Sequence, residues 1–132
     1  MSAAAMGATA FQKGLGAIHA LSHPIGAIYN THHGTTNAVC MPAVLHFNKS
    51  AVNEKLASAA NYLNIKGGFD GFCDFVVKFN ASLGIPESLT KMGIKNMDID
   101  RVVDGAISDP SAGGNPIKLT RENTRKLLLS CC

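Results

Sequence analysis

Apolar side chains recur along most of the chain at intervals of three and four residues, the spacing that places them on one face of a helix. Residues 52–63, 69–79 and 99–107 follow this pattern, and residues 2–12 are rich in the helix formers alanine and methionine. No segment shows the strict alternation that is typical of a strand. The pattern predicts an all-α fold, a multi-helix bundle, formed by one domain of 132 residues.

Cap residues and helix-breaking residues place the limits of several of these helices. Thr35 or Thr36 is predicted to cap a helix that begins after Gly34. Thr120 is predicted to cap the last helix, and the preceding residues 111–118 are predicted to form an ordered loop. The chain is therefore expected to contain at least four helices, joined by short connections.

The phenylalanine-rich stripe in residues 69–79 is predicted to be core, with the other helices packed around it and around the segment carrying His19. Cys40 and Cys73 lie in apolar runs, which favours buried and unreactive thiols. The last two residues, also cysteines, are expected to be frayed and reduced. No spacing among the four cysteines suggests a metal site.

Histidines are concentrated in one short segment, because four of the five lie within residues 19–33. His19 and His23 are four residues apart, so a helix would stack their side chains on one face. Pro24 disfavours helical geometry at the residue before it, which predicts that the helix ends or kinks there. Neutral imidazole is the commonest metal ligand in proteins, although two packed core histidines would show the same spacing.

The sequence around these histidines resembles the signature of the iron-containing (group III) alcohol dehydrogenases. The resemblance rests on the run G-L-G-A-I-H-A-L-S-H-P-I-G at 14–26 and on N-T-H-H-G at 30–34. It extends to the end of the chain through D-P at 109–110, N-P at 115–116 and L-T at 119–120. All 132 residues therefore resemble the C-terminal part of such an enzyme, whose fold is of the dehydroquinate synthase-like type.

This resemblance implies a role for each histidine of the segment. His19 and His33 correspond to the last two metal ligands of the family, for Fe(II) or Zn(II). His23 corresponds to the neighbour that lies beside the metal and the nicotinamide, a candidate catalytic residue for proton transfer. His32 has no corresponding role and is expected to be exposed, and His46 is expected to be a satisfied or surface histidine.

The resemblance also implies that this chain holds half of a metal site. In the family, an Asp and a His ligand come from a helix further upstream, and the nucleotide binds to an N-terminal α/β domain. Residues 1–132 are therefore expected to be a portion of the helical, metal-binding C-terminal domain, with that N-terminal domain absent. Gly14 and Gly16 lack the third glycine and the preceding strand of a dinucleotide-binding loop. The isolated chain is expected to be inactive.

For the whole protein, the resemblance implies hydride transfer between a primary or secondary alcohol and NAD(P), with the metal as Lewis acid. A related oxidoreductase, such as a glycerol dehydrogenase or a maleylacetate reductase, is the nearest alternative. An alternative of another class is a stand-alone helical module that binds a metal or a partner protein. A Gly-rich α/β segment with an Asp-x-x-x-His helix upstream would separate these hypotheses.

Composition narrows the choice of partners and location. The net charge is only +3 and the basic residues are dispersed without interleaved aromatics, so nucleic acid is not an expected partner. No apolar run reaches the length of a membrane span, and residues 1–10 do not resemble a signal peptide. A cytoplasmic protein is the expectation. A homo-oligomer is also expected, since a domain cut from its partner exposes apolar surface.

Overall fold

The computed structural model describes residues 1–132, which form seven α-helices, one 3-10 helix and no strand. The helices are α1 (Ser2–Phe11), α2 (Ala17–Tyr29), α3 (His33–Phe47), α4 (Lys49–Tyr62), α5 (Gly68–Ser82), α6 (Ile99–Ser108), the 3-10 helix (Pro110–Gly114) and α7 (Arg121–Leu129). The prediction of an all-α fold is confirmed. None of these helices has both the length and the apolar character that a crossing of a lipid bilayer requires.

The main core forms around α2, which packs against α3, α6 and the 3-10 helix. It contains buried side chains from α2, α3, α6 and α7, joined by Leu89 and Ile94 of the segment between α5 and α6. The helices α4 and α5 pack mainly on each other and attach to this core through α3. The first helix, α1, has no buried residue.

The phenylalanine stripe of α5 is only partly core, which corrects the prediction from the sequence. Phe69 and Val76 are buried, whereas 43% of Phe75 and 51% of Phe79 are exposed, and the Phe75 and Phe79 rings stack at 5.8 Å. At 3.6 residues per turn, Phe75 and Phe79 lie roughly 100° around the helix from the buried face. The apolar positions of α5 cover a wider arc of the helix surface than α4 contacts. The side of α5 that carries Phe75 and Phe79 therefore remains exposed.

Helix α2 continues through Pro24 to Tyr29, so of the two predicted outcomes, an end or a kink at this point, the end is wrong. Proline removes one backbone donor and crowds the preceding turn, which costs stability in an isolated helix. Here Pro24 packs against α6 at Gly105, where a Cβ atom would lie 2.7 Å from the Pro24 Cβ. Helix α2 also buries Ile25 immediately after the proline. This tertiary packing offsets the local penalty.

Helix α3 begins at His33 and not after Gly34, and neither Thr35 nor Thr36 is its cap. The cap is His32, whose Nδ1 accepts a hydrogen bond of 3.3 Å from the Thr35 amide. Histidine rarely takes this position, for which the sequence rules favour serine, threonine, aspartate and asparagine. His32 therefore has a structural role that the sequence did not predict.

The C-terminal residues are more ordered than expected. The predicted cap of α7 is confirmed, since Thr120 forms a capping box with Asn123. The expected loop of residues 111–118 contains most of the 3-10 helix instead. Cys131 is buried rather than frayed, because its carbonyl accepts a hydrogen bond of 2.8 Å from the Leu89 amide.

The other cysteines agree with the sequence analysis. Cys40 and Cys73 are buried, as predicted, and Cys132 is exposed. None of the four thiols forms a disulfide. Burial raises the pKa of the Cys73 thiol, with the nearby Asp70 carboxylate adding to the effect. That thiol is held in its unreactive, protonated form.

Asn115 joins the end of the 3-10 helix to the start of α2. Its Oδ1 accepts hydrogen bonds from the Ala17 amide at 3.1 Å and from Asn48 Nδ2 at 2.9 Å. Its Nδ2 donates to Asn48 Oδ1 at 2.9 Å and to the Ile117 carbonyl at 2.7 Å. The side chain uses all of its hydrogen-bonding groups, and it holds in place the helical turn that carries His19.

Candidate functional site

The rings of His19, His23 and His33 form one cluster. Their centroids are separated by 5.7 Å for His19 and His23, 5.2 Å for His19 and His33, and 5.4 Å for His23 and His33. The last two rings are nearly parallel, with an interplanar angle of 15°. The structure thus brings together the three histidines that the sequence analysis selected.

Local structure explains how a segment of fifteen residues forms this cluster. His19 and His23 are one turn apart on α2, so their rings lie on the same side of that helix. Asn30 caps the end of α2 with a left-handed backbone (φ 51°), and α3 starts three residues later and packs along α2. His33 is the first residue of α3 and enters the cluster from that side.

The two remaining histidines lie outside the cluster, as expected. His32 is exposed and its ring caps α3. His46 is exposed near the end of α3, and its ring contacts Phe69 at 5.8 Å between centroids. Neither ring is among those that surround His23.

Asn37 connects two of the clustered rings, a role that the sequence analysis missed. Its Nδ2 lies 3.2 Å from His19 Nε2 and 3.1 Å from His33 Nε2, placed to donate to both. Its buried Oδ1 has no hydrogen-bond partner in the chain. The position four residues after His33 was the available signal, because that spacing places two side chains on one helix face.

The environment keeps His19 neutral. Partial burial, followed by the proximity of the His33 and His23 rings, lowers the pKa of His19, and the Asp109 carboxylate only partly opposes this. An imidazole must be neutral to offer a lone pair to a metal ion. Both Nε2 atoms that face Asn37 accept its hydrogen bonds, so the lone pairs of His19 and His33 are directed toward one point.

Asp109 contacts the third ring of the cluster. Its Oδ2 lies 2.8 Å from His23 Nδ1, and its Oδ1 accepts a hydrogen bond of 2.7 Å from the Ser111 amide. Burial of Asp109 opposes ionisation, but the hydrogen bonds from Ser111 and His23 outweigh it and hold the pKa of the carboxyl below its usual value. No sequence spacing predicts this contact, since 86 positions separate the two residues.

An apolar cleft of about 430 Å³ adjoins the cluster at His19. Its walls come from the α1–α2 turn, from the end of α3 and from α4, and they include Leu15, Val44 and Leu56. Such a wall favours the carbon chain of a small ligand over its polar group.

Within the 132 residues, no three His, Cys, Asp or Glu side chains are arranged to hold a metal ion together. The chain instead offers two imidazole nitrogens, on His19 and His33, that face one shared donor group. Imidazole nitrogens bind Fe(II) and Zn(II) well, and a nitrogen pair of this kind is part of many sites for these metals. The donor N–H of Asn37 faces both lone pairs, as a cation would. The residues therefore fit part of a metal site.

One protein family matches the whole chain. The family model described as "Fe-containing alcohol dehydrogenase family, C-terminal" matches residues 1–132. The 4-hydroxybutyrate dehydrogenase of Cupriavidus necator is 38% identical to the chain, over 97% of the chain and 36% of that protein. The lactaldehyde reductase of Escherichia coli (strain K12) is 33% identical, over 86% of the chain and 32% of that protein.

A solved structure gives the same result for the fold. The crystal structure of a 1,3-propanediol oxidoreductase superposes with a TM-score of 0.82 at 29% identity, and the match covers 89% of this chain and 33% of that one. The chain thus spans about a third of the length of the relatives that it matches. The resemblance seen in the histidine segment and in the C-terminal residues is confirmed: the chain belongs to the Fe-containing alcohol dehydrogenase family and corresponds to its C-terminal part.

Proposed function

We propose that this chain supplies half of the metal site and the proton-transferring histidine of an NAD(P)-dependent alcohol dehydrogenase. The observation that carries the proposal is the convergence of His19 Nε2 and His33 Nε2 on one donor, Asn37 Nδ2, beside the ring of His23. The reaction is the interconversion of an alcohol and its aldehyde or ketone. When bound, the metal supplies Lewis acidity toward the substrate oxygen and the nicotinamide accepts the hydride.

His19 and His33 are the residues that would hold the metal, Fe(II) or Zn(II), each through Nε2. The lowered pKa of His19 keeps its ring available for this role at neutral pH. Because two nitrogens do not complete a coordination sphere, the other ligands must come from segments outside residues 1–132. We infer, as the family resemblance implies, that residues 1–132 are a portion of a helical metal-binding domain and that a separate N-terminal α/β domain binds the nucleotide.

His23 would take up and return the proton of the substrate hydroxyl. Its Nδ1 contacts Asp109, and its Nε2 makes no hydrogen bond within the chain. In this chain, 41% of the His23 side chain is exposed. General acid–base catalysis of this kind contributes about 10²- to 10⁴-fold to a rate.

Small alcohols are the substrate class that the observations favour. The relatives described above act on 4-hydroxybutyrate, lactaldehyde and 1,3-propanediol, as their names state. The apolar cleft beside His19 suits a short carbon chain. A glycerol dehydrogenase or maleylacetate reductase activity is the alternative within the same superfamily, and a panel of these substrates at equal concentration distinguishes them by kcat/KM.

Metal removal tests the proposal in the longer protein that it implies, in which an N-terminal α/β domain precedes this chain. Chelation is expected to abolish alcohol-dependent reduction of NAD(P)⁺, and Fe(II) or Zn(II) is expected to restore it, because Lewis acidity toward the substrate oxygen is lost and regained. The 132-residue chain should show no such reduction with either metal present. Activity of the isolated chain, or full activity of the chelated longer protein, would contradict the proposal.

Metal affinity of the isolated chain separates this proposal from a stand-alone metal-binding module. Complete structural zinc sites bind with about 10–16 kcal/mol, whereas His19 and His33 alone supply half of the usual ligand number. Calorimetric titration with Zn(II) is therefore expected to give binding far weaker than that range. Binding within the range, lost in His19→Ala, would favour the stand-alone module.

We also propose that the exposed face of α5 is covered in the assembled protein and makes the isolated chain self-associate. Phe75, Phe79 and Leu83 are each 43% or more exposed, and such surface favours association. Sedimentation velocity is expected to show dimers or larger species that a Phe75→Glu, Phe79→Glu double variant disperses. Met6→Glu, on the exposed α1, is the matched control and should not disperse them. A monomeric parent chain would contradict this expectation.

The cytoplasmic location stays a prediction.

A further inference from the structure

The contact between Asp109 and His23 joins two distant parts of the chain within the histidine cluster. The Oδ2 of Asp109 lies 2.8 Å from His23 Nδ1, and only 12% of the Asp109 side chain is exposed, against 41% for His23. A mostly buried carboxylate therefore contacts a more exposed imidazole ring. In contacts of this kind, the carboxylate fixes the orientation and the tautomer of the imidazole.

Asp109 is itself held in place by the backbone. It follows the end of α6 and caps the 3-10 helix, where its Oδ1 accepts a hydrogen bond of 2.7 Å from the Ser111 amide. One oxygen is therefore used by the helix cap and the other by His23. Because hydrogen bonds hold the pKa of this carboxyl below its usual value despite burial, it is ionised at neutral pH and can only accept hydrogen bonds.

The tautomer of the neutral His23 ring follows from this geometry. A carboxylate that accepts at Nδ1 requires the proton on Nδ1, so Nε2 carries the lone pair. The His23 ring stacks on the His33 ring with 5.4 Å between centroids, and its centroid lies 5.7 Å from that of His19. The lone pair on Nε2 of His23 therefore belongs to a ring that neighbours both proposed metal ligands, His19 and His33.

We propose that Asp109 is a positioning residue that fixes His23 in the Nδ1–H tautomer and so leaves Nε2 as the atom that accepts the substrate proton. The tautomer is a property of this chain alone, whereas its catalytic consequence rests on the proposed function. Asp109 acts through His23 and is not itself assigned a contact with the substrate or the metal.

Nitrogen NMR of the 132-residue chain tests the tautomer directly. Long-range ¹H–¹⁵N correlation at about pH 8, above the ordinary imidazole pKa of about 6.5, distinguishes protonated from unprotonated ring nitrogens. Wild-type His23 is expected to show a protonated Nδ1 and an unprotonated Nε2. In Asp109→Asn, the Ser111 amide retains the side-chain oxygen, so the NH2 group faces His23 and donates to Nδ1. The tautomer should therefore reverse.

Two further variants distinguish positioning from a general structural effect. Asp98→Asn removes a carboxylate that caps the other end of α6, and it should leave the His23 tautomer unchanged. Asp109→Ser keeps a hydroxyl that can cap the 3-10 helix but is too short to hold the ring, so both tautomers should be populated. An Nε2–H tautomer in the wild-type chain, or an unchanged tautomer in Asp109→Asn, would overturn the proposal.

Kinetics of the longer protein test the consequence separately. Asp109→Asn is expected to lower kcat by about 10- to 100-fold, the range for residues that support an active group, with KM and metal content unchanged. Asp98→Asn should keep the wild-type kcat. If the wild-type longer protein has no alcohol dehydrogenase activity but the tautomer reverses as expected, the proposed function fails while the role of Asp109 stands. An unchanged kcat in an active Asp109→Asn enzyme would refute that role.

Discussion

Gly114→Ala is expected to lower the free energy of unfolding of this chain by about 3 kcal/mol or more, the upper range for overpacked positions. A Cβ atom on Gly114 would lie 2.0 Å from the backbone carbonyl oxygen of Leu15. A backbone atom cannot turn away as a side chain can, so the 3-10 helix and the segment before α2 must separate. Their separation also strains the hydrogen bonds of Asn115 to Ala17 and Asn48.

Gly113→Ala is the matched control for this prediction. The two glycines are neighbours in the same 3-10 helix, but a Cβ atom on Gly113 would meet nothing within 4 Å. Both substitutions reduce the flexibility of the unfolded chain equally, so their difference isolates the clash. Urea unfolding should show Gly113→Ala within about 1 kcal/mol of the parent chain. Equal stability of the two variants would mean that the close approach to Leu15 does not exist.

The histidine cluster could be predicted from the sequence because it is a local feature. A spacing of four residues places His19 and His23 on one side of a helix, and the resemblance to the family signature singled out His33, ten positions after His23. The helices themselves follow from apolar periodicity, and the cap at Thr120 follows from its residue type. Each of these inferences needs only residues that lie close together in the chain.

The contacts that support the cluster could not be predicted in the same way. Asp109 meets His23 across 86 positions, and Asn115 meets Ala17 across 98. These pairings depend on how α6 and the 3-10 helix pack on α2, which no local pattern encodes. The same reason explains Pro24, because its packing against α6 at Gly105 outweighs its local preference. Phe75 was predicted to be core but is exposed, because periodicity defines the apolar face of a helix and does not say whether another element covers that face.

Substitution of His19 or His33 is expected to have the largest effect on function. Each removes one of two nitrogens that face the same point, and His19→Ala or His33→Ala should reduce the metal content and the activity of the longer protein to background. The chain offers no replacement for the lost nitrogen, since no three His, Cys, Asp or Glu side chains in it are arranged to hold a metal ion. His46→Ala, which removes an exposed histidine from the same helix as His33, should retain both metal and activity.

His23→Ala is expected to behave differently from both. Its Nδ1 is engaged by Asp109, and its proposed task is proton transfer, so most of the metal should remain bound. Turnover should still fall by roughly tenfold to a few thousandfold, the range of supporting and acid–base groups. If the three histidines were only packed core residues, the three variants would instead lose stability alike, with melting temperatures lowered and metal binding unchanged in the folded fraction.

The metal content of purified His19→Ala, His33→Ala and His23→Ala variants of the longer protein, measured beside their melting temperatures, tests the proposed division of roles most directly. We expect loss of the metal from the first two and near-complete retention in the third. Loss of the metal from His23→Ala as complete as from His19→Ala, or retention of the metal in all three, would contradict the assignment of ligands in this cluster.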